Sequence, residues 1–346
     1  MKRTIALLGG GTAGHIMPNF ALVSALSDFF DRVIYIGSRN SMEEELCKKK
    51  NIPYYPTETM KFYRKNPLKN FLLPAVLLRG IKEAKIILKE EKVSVVFSKG
   101  GFAAVPSVLA AHALKIPIAC HESDRTMGLA NRLTAKFAER VYTAFPNVCK
   151  NAVLLPTPIR EEIFSGEKLP LFPENGKPIL LFMGGSLGAE AINDALSQSY
   201  ATLCDKYNIL HITGKGGAPA RTASYVALPF ADDIQNFFAT ADLVISRAGA
   251  STLGELTALG KRVIAIPLPK GESRGDQEQN AAYYLGKGAI SVLPQSCLTP
   301  ETLTAAIDDI LRKRPPAPAY DRATPRRLTK ELFDIARKRA EVQSKA

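Results

Sequence analysis

Thr4-Ile5-Ala6-Leu7-Leu8-Gly9-Gly10-Gly11-Thr12-Ala13-Gly14-His15 opens the chain as an apolar strand that runs into a glycine turn and a helix start. A strand apolar at successive positions is buried on both faces, as in a parallel sheet covered by helices. The opening recurs further on, as Leu180-Leu181-Phe182-Met183-Gly184-Gly185. Short apolar runs follow each copy, alternating with helical patterns. The first series falls at 4–8, 33–36, 93–97, 116–120 and 141–144, and the second at 179–183, 209–213, 243–246, 263–266 and 290–293. This order predicts an α/β chain of two Rossmann-like parallel-sheet domains in tandem, facing each other across a cleft. Ligands of such sheets bind at the carboxyl ends of the strands, so loops of both halves should contribute. Residues 166–178, rich in Gly and Pro, read as the linker, giving domains over 1–165 and 166–325. Pro315-Pro316-Ala317-Pro318 then breaks the chain before a last amphipathic helix, about 326–342, expected to pack back on the first domain.

A length of 346 residues agrees with two domains of ordinary size. The chain is 46% hydrophobic and 23% charged, as soluble globular proteins are. Cys47, Cys120, Cys149, Cys204 and Cys297 are scattered and odd in number, which argues against a disulfide framework or a zinc site and for a reducing compartment. The apolar run after Met1-Lys2-Arg3 is too short for a signal-peptide core. The weakly polar stretch 101–120 is broken by Pro106, His112, Lys115 and Pro117, so it reads as loop, helix and strand rather than a membrane span. A cytoplasmic location follows as an expectation. The net charge of +13 is concentrated in residues 61–92 and 312–346. Such patches suit an anionic partner, although a solvated helix face and a basic tail would read alike.

Gly9, Gly11 and Gly14 also satisfy the dinucleotide pattern G-x-G-x-x-G after a strand. A dinucleotide enzyme needs an acid at the end of the second strand, which here reads Tyr35-Ile36-Gly37-Ser38-Arg39. Only Arg39 could answer, by meeting a 2′-phosphate. The second half carries the stronger nucleotide signal. A strand at 242–246 leads through Arg247-Ala248-Gly249 into a helix at Ala250-Ser251-Thr252-Leu253-Gly254-Glu255. The small residues admit a diphosphate, Ser251 and Thr252 could cap the helix and donate to it, and Glu255 could accept both ribose hydroxyls. An ordinary capped helix with a surface Glu would look the same. Gln277, in a polar connection, offers donor and acceptor to sugar hydroxyls.

In combination, the glycine turn, His121-Glu122, Pro158-Ile159-Arg160, Gly184-Gly185-Ser186-Leu187-Gly188, residues 247–255 and Asp276-Gln277 resemble the MurG family. The resemblance runs from residue 4 to about residue 300 with the motifs in order. It implies a GT-B fold and inverting transfer of N-acetylglucosamine from its UDP donor to lipid I, giving lipid II for peptidoglycan. It further implies a peripheral enzyme on the cytoplasmic face of the bacterial membrane. It places Thr12, Ala13 and Gly14 by the donor sugar and the acceptor diphosphate. Arg160, Ser186, the backbone of Ala231 and residues 250–255 would hold UDP, Gln277 the sugar, and Asn193 is a further candidate. Four departures stand out: Ala13 for Gly, Phe102 for Tyr, Asp124 for Asn, and Pro156-Thr157 for Gly-Asn. An acid at Asp124 cannot donate as an amide does, which puts its part in donor binding in question.

Inversion needs a base for the acceptor hydroxyl. His15, at a helix N-terminus whose dipole favours the neutral ring, is the first candidate, and the pair His121 and Glu122 competes with it. No Asp-x-Asp pair occurs, so helix N-termini and Arg160 are expected to stabilise the leaving UDP with neither metal nor cofactor. Phe62, Tyr63, Phe71 and Leu72 are interleaved with basic residues including Lys65 and Lys69. That mixture suits an anionic membrane surface, unless the apolar residues are simply core. No nucleic-acid partner is expected. Another lipid glycosyltransferase of GT-B fold, a nucleotide-sugar epimerase, or a non-catalytic binder of anionic lipid or nucleic acid remain as alternatives.

Overall fold

The computed structural model describes residues 3–63, 66–185 and 188–345. The chain forms two compact units, Met1–Arg160 with Asp321–Ala346, and Glu161–Tyr320.

Thr4–Leu8, buried at every position, is strand β1 of the first unit. Its neighbours are β2 (Arg32–Ser38) and β4 (Val93–Ser98), both parallel to it. With β3 (Tyr54–Thr57), β5 (Ile118–Glu122), β6 (Arg140–Thr143) and β7 (Val153–Leu154), these give the order β3-β2-β1-β4-β5-β6-β7 among the described residues. This is the Rossmann strand order with one strand added at the edge. Successive side chains of β1 point to opposite faces, and each face has its own core. Ile5 and Leu7 pack with Ile16, Phe20 and Leu22 of helix α1 (Ala13–Leu26). Ala6 and Leu8 lie on the other face, with Ala84 of α3 (Leu73–Glu90) and Val108 of α4 (Val105–Ala113).

The last helix of the chain, Thr324–Lys345, belongs to this first unit. It starts two residues before the expected 326, and its Leu328, Leu332 and Ala336 join the α1 core. Phe333 packs against the rings of Phe29 and Phe30, with the Arg3 guanidinium 4.5 Å from its centroid. Tyr142 donates to Glu331 at 2.6 Å.

In the second unit β8 (Ile179–Met183), β9 (Asn208–Ile212), β12 (Leu243–Ser246) and β13 (Arg262–Ala265) form the buried centre. Short strands β10 (Ala220–Arg221), β11 (Tyr225–Leu228) and β14 (Ser291–Val292) complete the order β10-β11-β9-β8-β12-β13-β14 among the described residues. Only β10 runs antiparallel, at the edge, among the pairings of the described residues. Leu180, Phe182, Leu243 and Ile245 pack against Ile192 and Leu196 of α6 (Glu190–Lys206) and Leu303 and Ile307 of α10 (Pro300–Arg312).

Glu161–Ser165, assigned by composition to the first domain, instead forms a 3-10 turn of the second unit. The following residues hold it there: Glu167 N donates to Asn236 Oδ1 and Leu169 N to Thr240 Oγ1, both at 2.9 Å. A Gly- and Pro-rich stretch marked the boundary a few residues late because its backbone is tied by side chains rather than left as a linker. Four short strands, β3, β7, β10 and β11, were not expected.

Candidate functional site

In the first unit two glycine turns meet at the carboxyl ends of β1 and β4. Gly11 has φ +84, and a Cβ there would come within 2.7 Å of Phe102. Gly101, at φ +81, lies against Gly10, where a Cβ would meet the Gly10 carbonyl oxygen at 2.3 Å and His15 Nδ1 at 3.3 Å. Glycine is required at both turns because neighbouring protein atoms fill the place of a side chain, and the first turn reaches solvent at Gly11 and Thr12. Helix α1 begins at Ala13, so Thr12 is its N-cap, with Gly14 and His15 in the first turn. The Thr12 side chain does not cap the helix; its Oγ1 lies 3.0 Å from His15 Nδ1. In the tautomer whose Nδ1–H donates to that hydroxyl, the Nε2 lone pair is the basic one. Pro18, inside α1, has no N–H to offer the Gly14 carbonyl.

His121 and Glu122 lie within β5, not after Ile116–Cys120 as the apolar run implied. They pair in register with Tyr142 and Thr143 of β6, and both are buried. Their polar character hid the last turn of the strand, yet each is fully satisfied in place. His121 Nδ1 is 2.6 Å from Lys99 Nζ and Nε2 is 3.1 Å from the Leu155 carbonyl oxygen. Only Nε2–H can donate to that carbonyl, so Nδ1 is the acceptor and Lys99 the donor. Burial, then the charge of Lys99, holds the ring well below the usual histidine range and keeps it neutral. Neither nitrogen has a lone pair to spare. Glu122 accepts from the backbone N–H groups of Asp124 and Gly128, both at 3.0 Å, and from Asn131 Nδ2 at 2.9 Å. It organises the turn that carries half-buried Asp124.

The second unit brings its candidates to the carboxyl ends of β11, β12 and β13. Helix α8 (Ala250–Ala258) starts from Gly249, which is the N-cap. Ser251 and Thr252 therefore do not cap it; they sit in the first turn, because the extended residue that turns the chain is the glycine. A Cβ on Gly249 would meet nothing within 4 Å, so the space over this turn is open. Arg247 braces the turn by donating to the Ile266 carbonyl at 3.1 Å, and Asn280 Nδ2 donates to Ala248 O at 3.3 Å. Leu253 is buried under the helix, while Gly254 and Glu255 are half-buried on it. In α9 (Asp276–Gly286), Gln277 Oε1 accepts from Leu268 N at 3.0 Å, which leaves the NH2 group for a ligand. Ala231 is half-buried in the loop after β11.

Asn193 is a brace in this structure. Its Nδ2 donates to Thr213 O, and its Oδ1 meets His211 Nε2, both at 3.0 Å. Burial pushes His211 down to about 4, so it is neutral and serves that bond. Arg160 is the last residue of the first unit before the chain enters the second. Arg39, the one residue that could have met a 2′-phosphate, is paired with Glu58 at 3.3 Å and Glu83 at 2.8 Å. Ser186 and Lys65 lie outside the described residues, as does the side chain of Lys69. Among the described residues no group of His, Cys, Asp and Glu side chains is placed to hold a metal ion.

Of the apolar residues set among basic ones, Phe62, Tyr63, Phe71 and Leu72 are exposed, Phe71 by 87% and neighbouring Leu68 by 88%. Within this group Asn70 accepts from Tyr63 N at 2.9 Å and donates to Tyr63 O at 3.0 Å. They are not core. Among the described residues no helix is long and apolar enough to cross a membrane.

Three residues beside the candidates carried no motif: Lys99 and Asn131, which bond to His121 and Glu122, and Ser123, which bonds to Lys99. The string Ser98-Lys99-Gly100-Gly101, a lysine between an apolar strand and two glycines, was the available signal for the first of them.

Residues 5–143 match the glycosyltransferase family 28 N-terminal domain, and residues 179–338 its C-terminal domain. A relative from Clostridium novyi is 41% identical over 90% of this chain and 92% of its own length. One from Clostridium botulinum is 43% identical over 87% of this chain and 88% of its own. Both bear the name UDP-N-acetylglucosamine–N-acetylmuramyl-(pentapeptide) pyrophosphoryl-undecaprenol N-acetylglucosamine transferase. The crystal structure of Acinetobacter baumannii MurG superposes with a TM-score of 0.72 at 28% identity, covering 97% of this chain and 99% of that one.

Proposed function

The chain belongs to the MurG family of glycosyltransferases, of GT-B fold, and we infer that it moves N-acetylglucosamine from UDP-N-acetylglucosamine to lipid I, forming lipid II. What carries this reading is that both halves match, in order, the two halves of one transferase family along nearly the whole length of relatives with a single activity. A dinucleotide oxidoreductase has no ribose acid and no free Arg39 to replace it.

In the proposed reaction the 4-hydroxyl of the acceptor N-acetylmuramyl sugar attacks the anomeric carbon. The bond from that carbon to the diphosphate breaks, UDP leaves, and the configuration inverts. The hydroxyl proton passes to His15 Nε2, while Nδ1–H stays with Thr12 Oγ1. His15 is preferred to His121 because both nitrogens of His121 are committed within the core. Charge on the leaving UDP is met by backbone N–H groups at Ala250, Ser251 and Thr252 in the first turn of α8, together with Arg160. Glu255 accepts from the ribose, and the Gln277 NH2 group donates to the sugar. Thr12, Ala13 and Gly14 lie with the glycine turns that receive the acceptor diphosphate. UDP release that requires lipid I supports the transferase; release without any acceptor would favour hydrolysis or an epimerase-like chemistry and sink it.

The exposed turn at Phe71 explains how such an enzyme meets a lipid-linked substrate at the cytoplasmic face of the membrane. Its apolar side chains enter the interface, and the surrounding basic residues face anionic headgroups. Phe71→Asp is expected to weaken binding to anionic vesicles by roughly ten-fold, with wild-type binding falling as salt rises. Sedimentation with vesicles reads this, and equal binding by the variant removes the turn from the membrane surface.

A further inference from the structure

Lys99 follows β4 directly and precedes the turn at Gly100 and Gly101. Its side chain is 1% exposed, and no carboxylate bonds to it among the described residues. Nζ has two partners, His121 Nδ1 and Ser123 Oγ, each at 2.6 Å. Ser123 Oγ also accepts from Thr157 Oγ1 at 3.0 Å, so the cluster joins the ends of β4 and β5 to the loop after β7. The lysine backbone is bound to β1, N donating to Leu8 O at 2.8 Å. A Cβ on Gly9 would lie 3.3 Å from Lys99 Cβ, so the side chain leaves from directly beneath the first glycine turn.

The hydrogen-bond count is informative. The shown partners are both acceptors, and a neutral amine with two N–H groups satisfies them fully. An ammonium has a third N–H and a full charge, and a buried charge with no carboxylate bonded to it is costly, although Glu122 and Asp124 lie near enough to offset part of that cost. Such a group is suited to an anion that arrives from outside, and the first glycine turn above it reaches solvent at Gly11 and Thr12.

We propose that Lys99 is a positioning residue of the acceptor subsite, its amine taking up a solvent proton as the lipid-linked diphosphate binds over the glycine turns. This rests on the assignment of those turns to the acceptor. The lysine does not touch the substrate; it acts through space in a medium of low dielectric, where a single charge is felt over several ångströms. It also fixes His121 and, through Ser123, the loop at Thr157.

Burial brings the Lys99 ammonium down to about 7, against the opposing pull of Glu122 and Asp124. In the free enzyme the charge is therefore present below neutrality and lost above it. Other ionisable groups near it are His121, held neutral, His15 across Gly101, and Glu43 of helix α2 (Met42–Lys49), against which Gly10 packs. A diphosphate diester stays fully ionised across this range, so its affinity should fall as the lysine loses its proton. KM for the acceptor should rise between about pH 6.5 and 8.5, while KM for UDP-N-acetylglucosamine stays level.

The test is steady-state kinetics with a soluble lipid I analogue, on wild type and Lys99→Met, across that pH range. The expected result is an acceptor KM about ten-fold or more above wild type near pH 6.5, no longer dependent on pH, with donor KM unchanged. An acceptor KM within about two-fold of wild type, or one that keeps the wild-type rise with pH, overturns the proposal. If the variant fails to fold, the wild-type profile decides: a flat acceptor KM across the range overturns the proposal on its own, and a rise supports it. A wild-type enzyme that does not use the analogue at all refutes the acceptor assignment instead, so the two failures are distinct.

Discussion

His15→Ala is expected to lower kcat for sugar transfer about 10²- to 10⁴-fold, with KM for UDP-N-acetylglucosamine nearly unchanged. The reason is local. His15 is the half-buried imidazole in the first turn of α1, with Thr12 Oγ1 3.0 Å from Nδ1 holding the ring. The proposed base acts only as the hydroxyl loses its proton, so its removal affects the transition state and not the bound donor. Thr12→Val should reproduce part of the loss, because the ring keeps its place but loses the group that orients it. A His15→Ala enzyme with kcat within a few-fold of wild type would pass the role of base to another group. His121 would be a poor heir, given its bonds to Lys99 and Leu155.

The second large effect belongs to the other unit. Glu255→Ala is expected to raise KM for UDP-N-acetylglucosamine and the inhibition constant for UDP by about ten- to a hundred-fold, the worth of charge-assisted hydrogen bonds to a ribose. KM for the lipid acceptor should not move. Glu255→Gln, which still accepts one hydrogen bond, should fall between the two. Inhibition by UDP is the more direct reading, since it reports binding without chemistry. A change confined to the acceptor would contradict the assignment of nucleotide to α8.

Most of the architecture was legible because burial leaves a simple mark. Thr4–Leu8 is apolar after its first residue and Ile179–Met183 along its length, and each is followed by glycine where the chain must turn toward a helix. The strands that went unread lack that mark. Tyr54–Thr57 contains Pro56, Val153–Leu154 and Ala220–Arg221 are two residues long, and Tyr225–Leu228 is a four-residue strand that starts straight after Thr222-Ala223-Ser224. His121 and Glu122 look like loop residues because strands are read by apolar side chains. What makes them strand is backbone pairing with Tyr142 and Thr143, and their side chains are tolerated there because Lys99, Leu155 and Asn131 supply partners. Ser251 and Thr252 have the chemistry of caps, yet the cap is decided by which residue turns, and that is Gly249.

The candidate site was readable to a similar degree and for the same reason. Glycine turns and helix starts are local, so residues 9–15 and 247–255 stood out. Roles that depend on a neighbour far along the chain did not. Asn193 bonds to His211 and Thr213, and a buried lysine beneath a glycine turn cannot be told from an exposed one by composition. Exposure worked the other way at Phe71. Its apolar character allowed either core or interface, and only its exposure in the folded chain separates the two.

The central claim is the reaction itself, and one measurement reaches it: incubation of the purified chain with UDP-N-acetylglucosamine labelled in the sugar and with lipid I. Label appearing in a lipid-extractable product that carries the muramyl peptide, with UDP released in equal amount, is the predicted result. Label that stays with the nucleotide, or is released as free sugar while lipid I is unchanged, would contradict it.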